Sequence, residues 1–237
     1  MLLKKALADQ MDPERVKYLR WPEDKGLLKD IQEEIKKEIN IVPLLNPPEL
    51  IAGIDASFLD DRIVCAACLF SFPGLESIEQ SVAVRKLAFP YIPGYLSFRE
   101  GPAVLDALDG LSGKPGLLIF DGQGIAHPRG VGLAAFMGVL TGLPSIGCAK
   151  TRLVGEYSEP GEKRGDWSPL SHKGAFVGAV LRTQDRVKPV FVSPGNLIDI
   201  EGSVRMVLEC APEYRLTEPV READALSKKI KKELMGE

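Results

Sequence analysis

Apolar residues recur along this chain in two rhythms, and the change from one to the other divides it. In LLKDIQEEIKKEINIV, Leu28, Ile31, Ile35 and Ile39 fall three or four apart with acids and lysines between them, the spacing of an apolar stripe on a helix. After PLLNPPE come LIAGIDASF, RIVCAACLFSF and SIEQSVAVRKLAF, strand-like runs separated only by Asp-Asp and Pro-Gly. Connections that short join antiparallel neighbours, so a three-strand meander is predicted. From residue 97 the elements alternate: SFREGPAVLDALDGL as helix, GLLIFDG as buried strand, GVGLAAFMGVLTG as helix, PSIGCAK as strand. That β-α-β succession requires parallel neighbours. AFVGAVLRT and PVFVSPG read as a further strand pair, and DIEGSVRMVLEC and PVREADALSKKIKKEL as closing helices.

A meander followed by βαβ units is the strand order of a ribonuclease-H-like α/β sheet, mixed in direction and flanked by helices, in which the first strand lies beside the fourth. A single domain over residues 1–237 is expected, with 1–45 a variable N-terminal helical segment and 46–237 the core. The 237 residues, 45% hydrophobic and 27% charged, suit one such domain. No apolar run is long enough to cross a bilayer, and MLLKKALADQMD carries charges where the apolar core of a signal peptide would stand. A cytoplasmic monomer without membrane partners is therefore expected. Four scattered cysteines do not make a disulfide framework; Cys65 and Cys68 lie in a strand-like run, where an offset of three points their thiols to opposite faces. Two histidines, His127 and His172, exclude the common zinc patterns. The net charge of −3 gives no general attraction for a polyanion, so a nucleic-acid surface must be local. Lys228, Lys229, Lys231 and Lys232 read either as a solvated helix face or as a phosphate-facing patch.

The candidate chemistry lies in acids placed where acids are costly. Asp55 interrupts the apolar run IAGIDASF and Asp121 ends GLLIFDG. An unpaired carboxylate taken from water costs several kcal/mol. If the two strands are adjacent and parallel, both carboxylates converge on one crevice at the strands' carboxyl ends, where a cation is needed to join them. Magnesium, with manganese able to substitute, accepts paired carboxylates and completes its shell with water and phosphate oxygens. Glu100, at the start of a helix, and Asp224, in the last helix, bring a third and a fourth acid. Acids on four elements form a constellation for metal-assisted phosphodiester hydrolysis.

At these residues the chain resembles the endonuclease V, or deoxyinosine 3′ endonuclease, family. The matching stretches are GIDASF, FPYIPGYLSFREGP, FDGQGIAHPRGVGLA, IGCAKTRLVG, FVSPGN and PVREADALS, in order between about residues 50 and 230. The resemblance implies a ribonuclease-H-like fold and magnesium-dependent cleavage of nucleic acid at the second phosphodiester bond 3′ to inosine. It implies Asp55 and Asp121 as metal ligands, Glu100 completing the acidic site, and Asp224 at a position that is His in some members. It makes the segment Pro90, Tyr91, Ile92 and Pro93 a rigid wedge, stiffened by two prolines, with Tyr91 stacking on bases. It implies Gly94, Leu96, Gly122 and Gly124 as the lining of a hypoxanthine pocket, with His127 beside it or behind the metal, and Lys150 against a backbone phosphate. Asn196 stands where the family carries His, and retains the capacity to donate a hydrogen bond to phosphate. The substrate is expected to be inosine-containing DNA or RNA. A nuclease of branched or flap DNA and a lesion-binding protein that does not cut are the competing readings.

Overall fold

A computed structural model describes residues 25–236; the opening MLLKKALADQMD and the signal-peptide argument that rests on it fall outside them. The elements are α1 (Lys25–Glu38), β1 (Leu50–Leu59), β2 (Arg62–Ser71), β3 (Ser77–Lys86), α2 (Leu96–Asp109), β4 (Leu117–Phe120), α3 (Leu133–Thr141), β5 (Ser145–Ala149), β6 (Trp167–His172), β7 (Ala175–Leu181), β8 (Val190–Asn196), α4 (Ile200–Glu209) and α5 (Glu218–Met235). The eight strands among the described residues form one sheet in the order β3-β2-β1-β4-β5-β8-β7-β6. The meander β1-β2-β3 is antiparallel, while β1 with β4 and β4 with β5 are parallel. The expected mixed sheet is therefore present, with the first strand beside the fourth. Strand β6 was not expected. Its sequence WSPLSH lacks an apolar run and contains Pro169, which a strand tolerates at a sheet edge, where the missing donor faces no partner; β6 pairs with β7 on one side and ends the sheet.

Because successive strand residues face opposite ways, the sheet separates two apolar layers. On one face Ala52, Ile54, Leu118 and Phe120 pack with Leu28 and Ile35 of α1, Phe98 and Val104 of α2, and Phe136 of α3. On the other, Ile51, Leu117, Ile119 and Val192 pack with Met206 and Val207 of α4 and Val220 and Ala223 of α5. Cys65 belongs to the first layer and Cys68 to the second, as strand alternation requires, and both are free thiols. Helix α1 is part of the packed body, with Leu28 and Ile35 fully buried. No helix among the described residues is long and apolar enough to cross a membrane.

Two local features decide what reaches the sheet's end. Asn196 is buried, and both ends of its amide are used internally: its Nδ2 donates to the Gly138 carbonyl at 3.2 Å and its Oδ1 accepts from the Asn40 amide at 2.9 Å. It pairs with Ser145 at the start of β5, so it pins the α1–β1 connection at the end of β5 away from Lys150, and the phosphate contact open to it in the sequence is not available. Gly53, in mid-β1, lets α5 lie directly on the strand. A Cβ there would stand 2.1 Å from the Pro219 carbonyl carbon and 2.4 Å from the Val220 nitrogen, both backbone atoms at the start of α5. Backbone cannot yield as a side-chain tip can. Gly53→Ala should therefore lower stability by about 1–3 kcal/mol, as overpacking does, read as a lower urea midpoint, and should displace Asp224 along with α5.

Candidate active site

The acidic site follows from strand register. The parallel ladder pairs Gly53 with Ile119 and Ile54 with Phe120, and the Asp121 amide continues it by donating to the Ile54 carbonyl at 3.2 Å. Asp55 and Asp121 are thus the next neighbours along two adjacent strands. They share a face, since Ile51 and Ile119, an even number of residues back on each strand, both point into the α4–α5 layer. Helix α5, seated on β1 through Gly53, brings Asp224 to the same place. One carboxylate oxygen from each of Asp55, Asp121 and Asp224 lies within 4.8 Å of the others. Glu100 stands outside this triad. It enters from α2 on the opposite face of the sheet, is 8% exposed, and feels the Asp121 charge. The four predicted acids therefore converge as three plus one, with Asp224 rather than Glu100 as the third member.

The electrostatics show how crowded the site is. Burial, a hydrogen bond with Asp224 and the Asp121 charge push the Asp55 carboxyl up to about 8. Burial and the Asp121 charge push Glu100 up to about 8 as well, against the opposing pull of Arg99. Asp224 moves the other way: although burial opposes it, hydrogen bonds from Lys228 and Asp55 and the charge of Lys150 hold its carboxyl below the usual range. Lys150, just beyond β5, places its Nζ 2.5 Å from Asp121 Oδ2 and 3.8 Å from Asp224 Oδ1. It joins two of the three acids, where the sequence reading gave it a phosphate. Lys228 lies one helical turn after Asp224, and its Nζ is 2.7 Å from Asp224 Oδ2. The i,i+4 spacing was the available signal for this pair, but the lysine cluster masked it.

Beside the triad lies a cavity of about 440 Å³, whose wall includes Asp121 and Lys150. Gly94, Leu96, Gly122 and His127 line it, as do Tyr91 and Ile92. Gly124 does not. Its Cα faces β8, where a Cβ would lie 2.0 Å from the Pro194 carbonyl oxygen, and its amide donates to Ser193 Oγ at 2.7 Å. It is a glycine because two backbones touch there, and the pocket role expected of it is corrected to packing. Burial, with the charge of Arg129, pushes His127 down to about 4, so the imidazole is neutral at physiological pH. Within the proline-bounded segment Tyr91 is 69% exposed, whereas Ile92 packs against the first layer; Pro90 and Pro93 are exposed. The outward face of this finger is thus Tyr91 between two prolines. Gln123, Thr151, Arg152 and Leu153 also line the cavity. Sequence reasoning did not single these out, because loop residues carry no periodicity that reports their direction.

Comparison with known proteins is consistent along nearly the whole chain. The family model described as Endonuclease V matches residues 33–225. Endonuclease V of Roseiflexus castenholzii is 47% identical over 207 residues, covering 87% of this chain and 93% of that protein. Endonuclease V of Geotalea uraniireducens is 49% identical over 205 residues, covering 86% and 88%. Among solved structures, endonuclease V of Streptomyces avermitilis superposes with a TM-score of 0.88 at 40% identity over 92% of this chain and 97% of that one. Endonuclease V of Ciona intestinalis, in complex with a 23mer DNA containing an inosine followed by a ribo-adenosine, gives 0.79 at 25% identity, covering 88% and 97%. The matched stretch contains every strand and the whole of the acidic triad and cavity wall, and the chain therefore belongs to the endonuclease V family of nucleases.

Proposed function

We propose that this protein is a metal-dependent endonuclease of DNA repair that recognises deoxyinosine, the product of adenine deamination, and hydrolyses the second phosphodiester bond on its 3′ side. The observation that carries the reading is the juxtaposition of the Asp55–Asp121–Asp224 triad with a cavity roomy enough for a nucleobase, joined through Asp121 and Lys150. The inosine-containing DNA held by the Ciona relative supports the substrate.

The donor set fits a hard divalent cation, since it offers carboxylate oxygens and neither sulfur nor imidazole. The raised Asp55 and Glu100 carboxyls fit as well, because burial and neighbouring carboxylates disfavour their charged forms, and a bound cation would favour them. Asp55, Asp121 and Asp224 would hold magnesium or manganese, which supplies activation of water and neutralisation of charge at the phosphate. The rest is the work of the chain. Lys150, its side chain 40% exposed and already at the rim, offers a mobile point charge to a backbone phosphate. Lys228 keeps Asp224 ionised. The exposed Tyr91 wedges against a base while its flanking prolines hold the backbone stiff, so that the target nucleotide swings into the cavity. Gly94 and Gly122 leave room for main-chain groups to meet the base edge, where O6 of hypoxanthine replaces the amino group of adenine.

The direct test is nicking of matched inosine DNA and inosine RNA, with magnesium present, chelated and restored, and with the product end mapped. The expected result is one cut at the second 3′ bond that disappears on chelation; a metal-independent cut, or none on either inosine strand, removes the reading. Because the Ciona ligand places a ribonucleotide after inosine, the RNA arm decides the preferred sugar. Asp121→Ala should lower the rate by more than about 100-fold, beyond the loss typical of residues behind a ligand, while binding of the inosine duplex persists in a mobility-shift assay.

A proton count gives an independent check. A carboxyl raised to about 8 in the fold keeps its proton through a pH range where the unfolded chain has lost it. The metal-free fold should therefore lose stability as pH climbs from about 4 towards 8 on account of Asp55 and Glu100. Divalent metal displaces those protons. Calorimetric titration with manganese at pH 7 in buffers of different ionisation enthalpy should show proton release, reduced in Asp55→Asn, and metal affinity should rise between pH 6 and 8.

A further inference from the structure

The finger that carries Tyr91 ends at Gly94, whose φ is +80°, and the backbone of Gly94 is held by side chains from elsewhere in the chain: His127 bonds to it, and so do a residue of α1 and Arg129. Gln32 of α1 donates from Nε2 to the Gly94 carbonyl oxygen at 3.0 Å, and at 3.5 Å to the Val131 carbonyl. Arg129 donates from Nη2 to the same Gly94 oxygen, and from Nε to Gln32 Oε1. The Arg129 guanidinium also lies 4.1 Å over the ring of Tyr95, the residue after Gly94. Gln32 is 1% exposed. A long amide side chain is rarely sealed in this way unless its bonds are made. Here the donor end meets carbonyls and the acceptor end meets a guanidinium, which also fixes the amide's orientation. The absence of a side chain at Gly94 is part of the arrangement, since a Cβ would stand 2.5 Å from Arg129 Nη2.

From this geometry we propose that Gln32 is a positioning residue for strand separation. Acting through Arg129 and the Gly94 carbonyl, α1 braces the root of the Tyr91 finger, so that its stiffness is anchored to the body of the protein. Two prolines make a segment rigid along its own length but do not set the angle at which it leaves the fold. Within the segment the turn at Gly94 is closed by the Tyr95 amide, which donates to the Ile92 carbonyl at 3.0 Å; its angle to the body depends on contacts from outside. With His127, the Gln32–Arg129 pair supplies such contacts, bonding the Gly94 carbonyl and stacking on the Tyr95 ring. Helix α1, whose sequence shows no catalytic residue, thereby takes part in nucleic-acid recognition. The substrate side of this inference rests on the inosine-endonuclease reading; the brace itself does not.

The test is built on that separation. Gln32→Met keeps the length of the side chain and removes its three hydrogen bonds; Arg129→Lys keeps the charge and removes the fork, serving as the second variant if the first fails to fold by thermal unfolding. Without substrate, chymotryptic cleavage after Tyr91 should quicken about tenfold in either variant, the loss of about one hydrogen bond to a charged group; an unchanged rate overturns the brace even if the substrate reading stands. With substrate, kcat/KM on an inosine duplex should fall about tenfold in Gln32→Met. In a Tyr91→Ala background, where no wedge remains to be aimed, the same substitution should change it less than about twofold, the non-additivity of residues acting as one unit. Equal losses in both backgrounds would show that Gln32 acts on general stability and overturn the positioning role. If the wild-type protein cuts no inosine strand, the substrate reading fails while the proteolysis result still decides the brace.

Discussion

Two carboxylates side by side at the end of a sheet repel, and everything at this end of the molecule is arranged around that repulsion. The parallel ladder between β1 and β4 leaves no choice about it. Once Ile54 is level with Phe120, Asp55 and Asp121 are level with each other and on one face. Asp224 then adds a third oxygen ligand within 4.8 Å. The protein answers with Lys150 and Lys228 on the exposed side, and with protons retained by Asp55 and Glu100 on the buried side. Under the proposed function a divalent cation would relieve the same excess, and an arrangement costly to stability would then be retained for chemistry.

The two faces of the sheet divide the labour. The face covered by α5 supplies Asp224, and does so because Gly53 lets a helix N-terminus rest on strand backbone. The face covered by α1, α2 and α3 supplies Glu100, the finger and most of the cavity wall. Asp121 at the strand end belongs to both neighbourhoods, since it touches the triad, lines the cavity and raises Glu100. Close backbone approaches recur in the adjoining loop. Gly124 rests on the Pro194 carbonyl, and a Cβ on Gly147 would stand 2.4 Å from the Gly124 amide. Glycine in this loop lets its backbone lie directly against β5 and β8.

The finger illustrates how stiffness is divided between local and distant causes. Proline restricts φ within the segment, while Tyr91 stays exposed and Ile92 is half-buried where it packs against the first layer. The direction of the whole segment is a matter for contacts from outside it, among them Gln32 and Arg129, 62 and 35 positions away along the chain from Gly94. Local sequence makes the blade and tertiary contact makes the handle.

The sequence by itself determined the order of elements, the mixed sheet and the identity of the acids, because each leaves a local mark. Apolar spacing distinguishes helix from strand, short turns imply antiparallel pairing, and an acid in an apolar strand is conspicuous whatever surrounds it. Asp55, Asp121 and the proline-bounded Tyr91 were legible for that reason. Strand β6 was not, since Pro169 and polar neighbours erase the strand pattern and an edge position restores it. What only the tertiary structure decided is which groups meet: that Asp224 joins the triad while Glu100 stands apart, that Lys150 holds carboxylates, that Asn196 is spent inside the fold, that Gly124 spaces two backbones, and that Gln32 is buried against the turn at Gly94. These depend on the direction of a side chain relative to elements far off in the chain, and neither residue type nor spacing encodes that direction until packing fixes it.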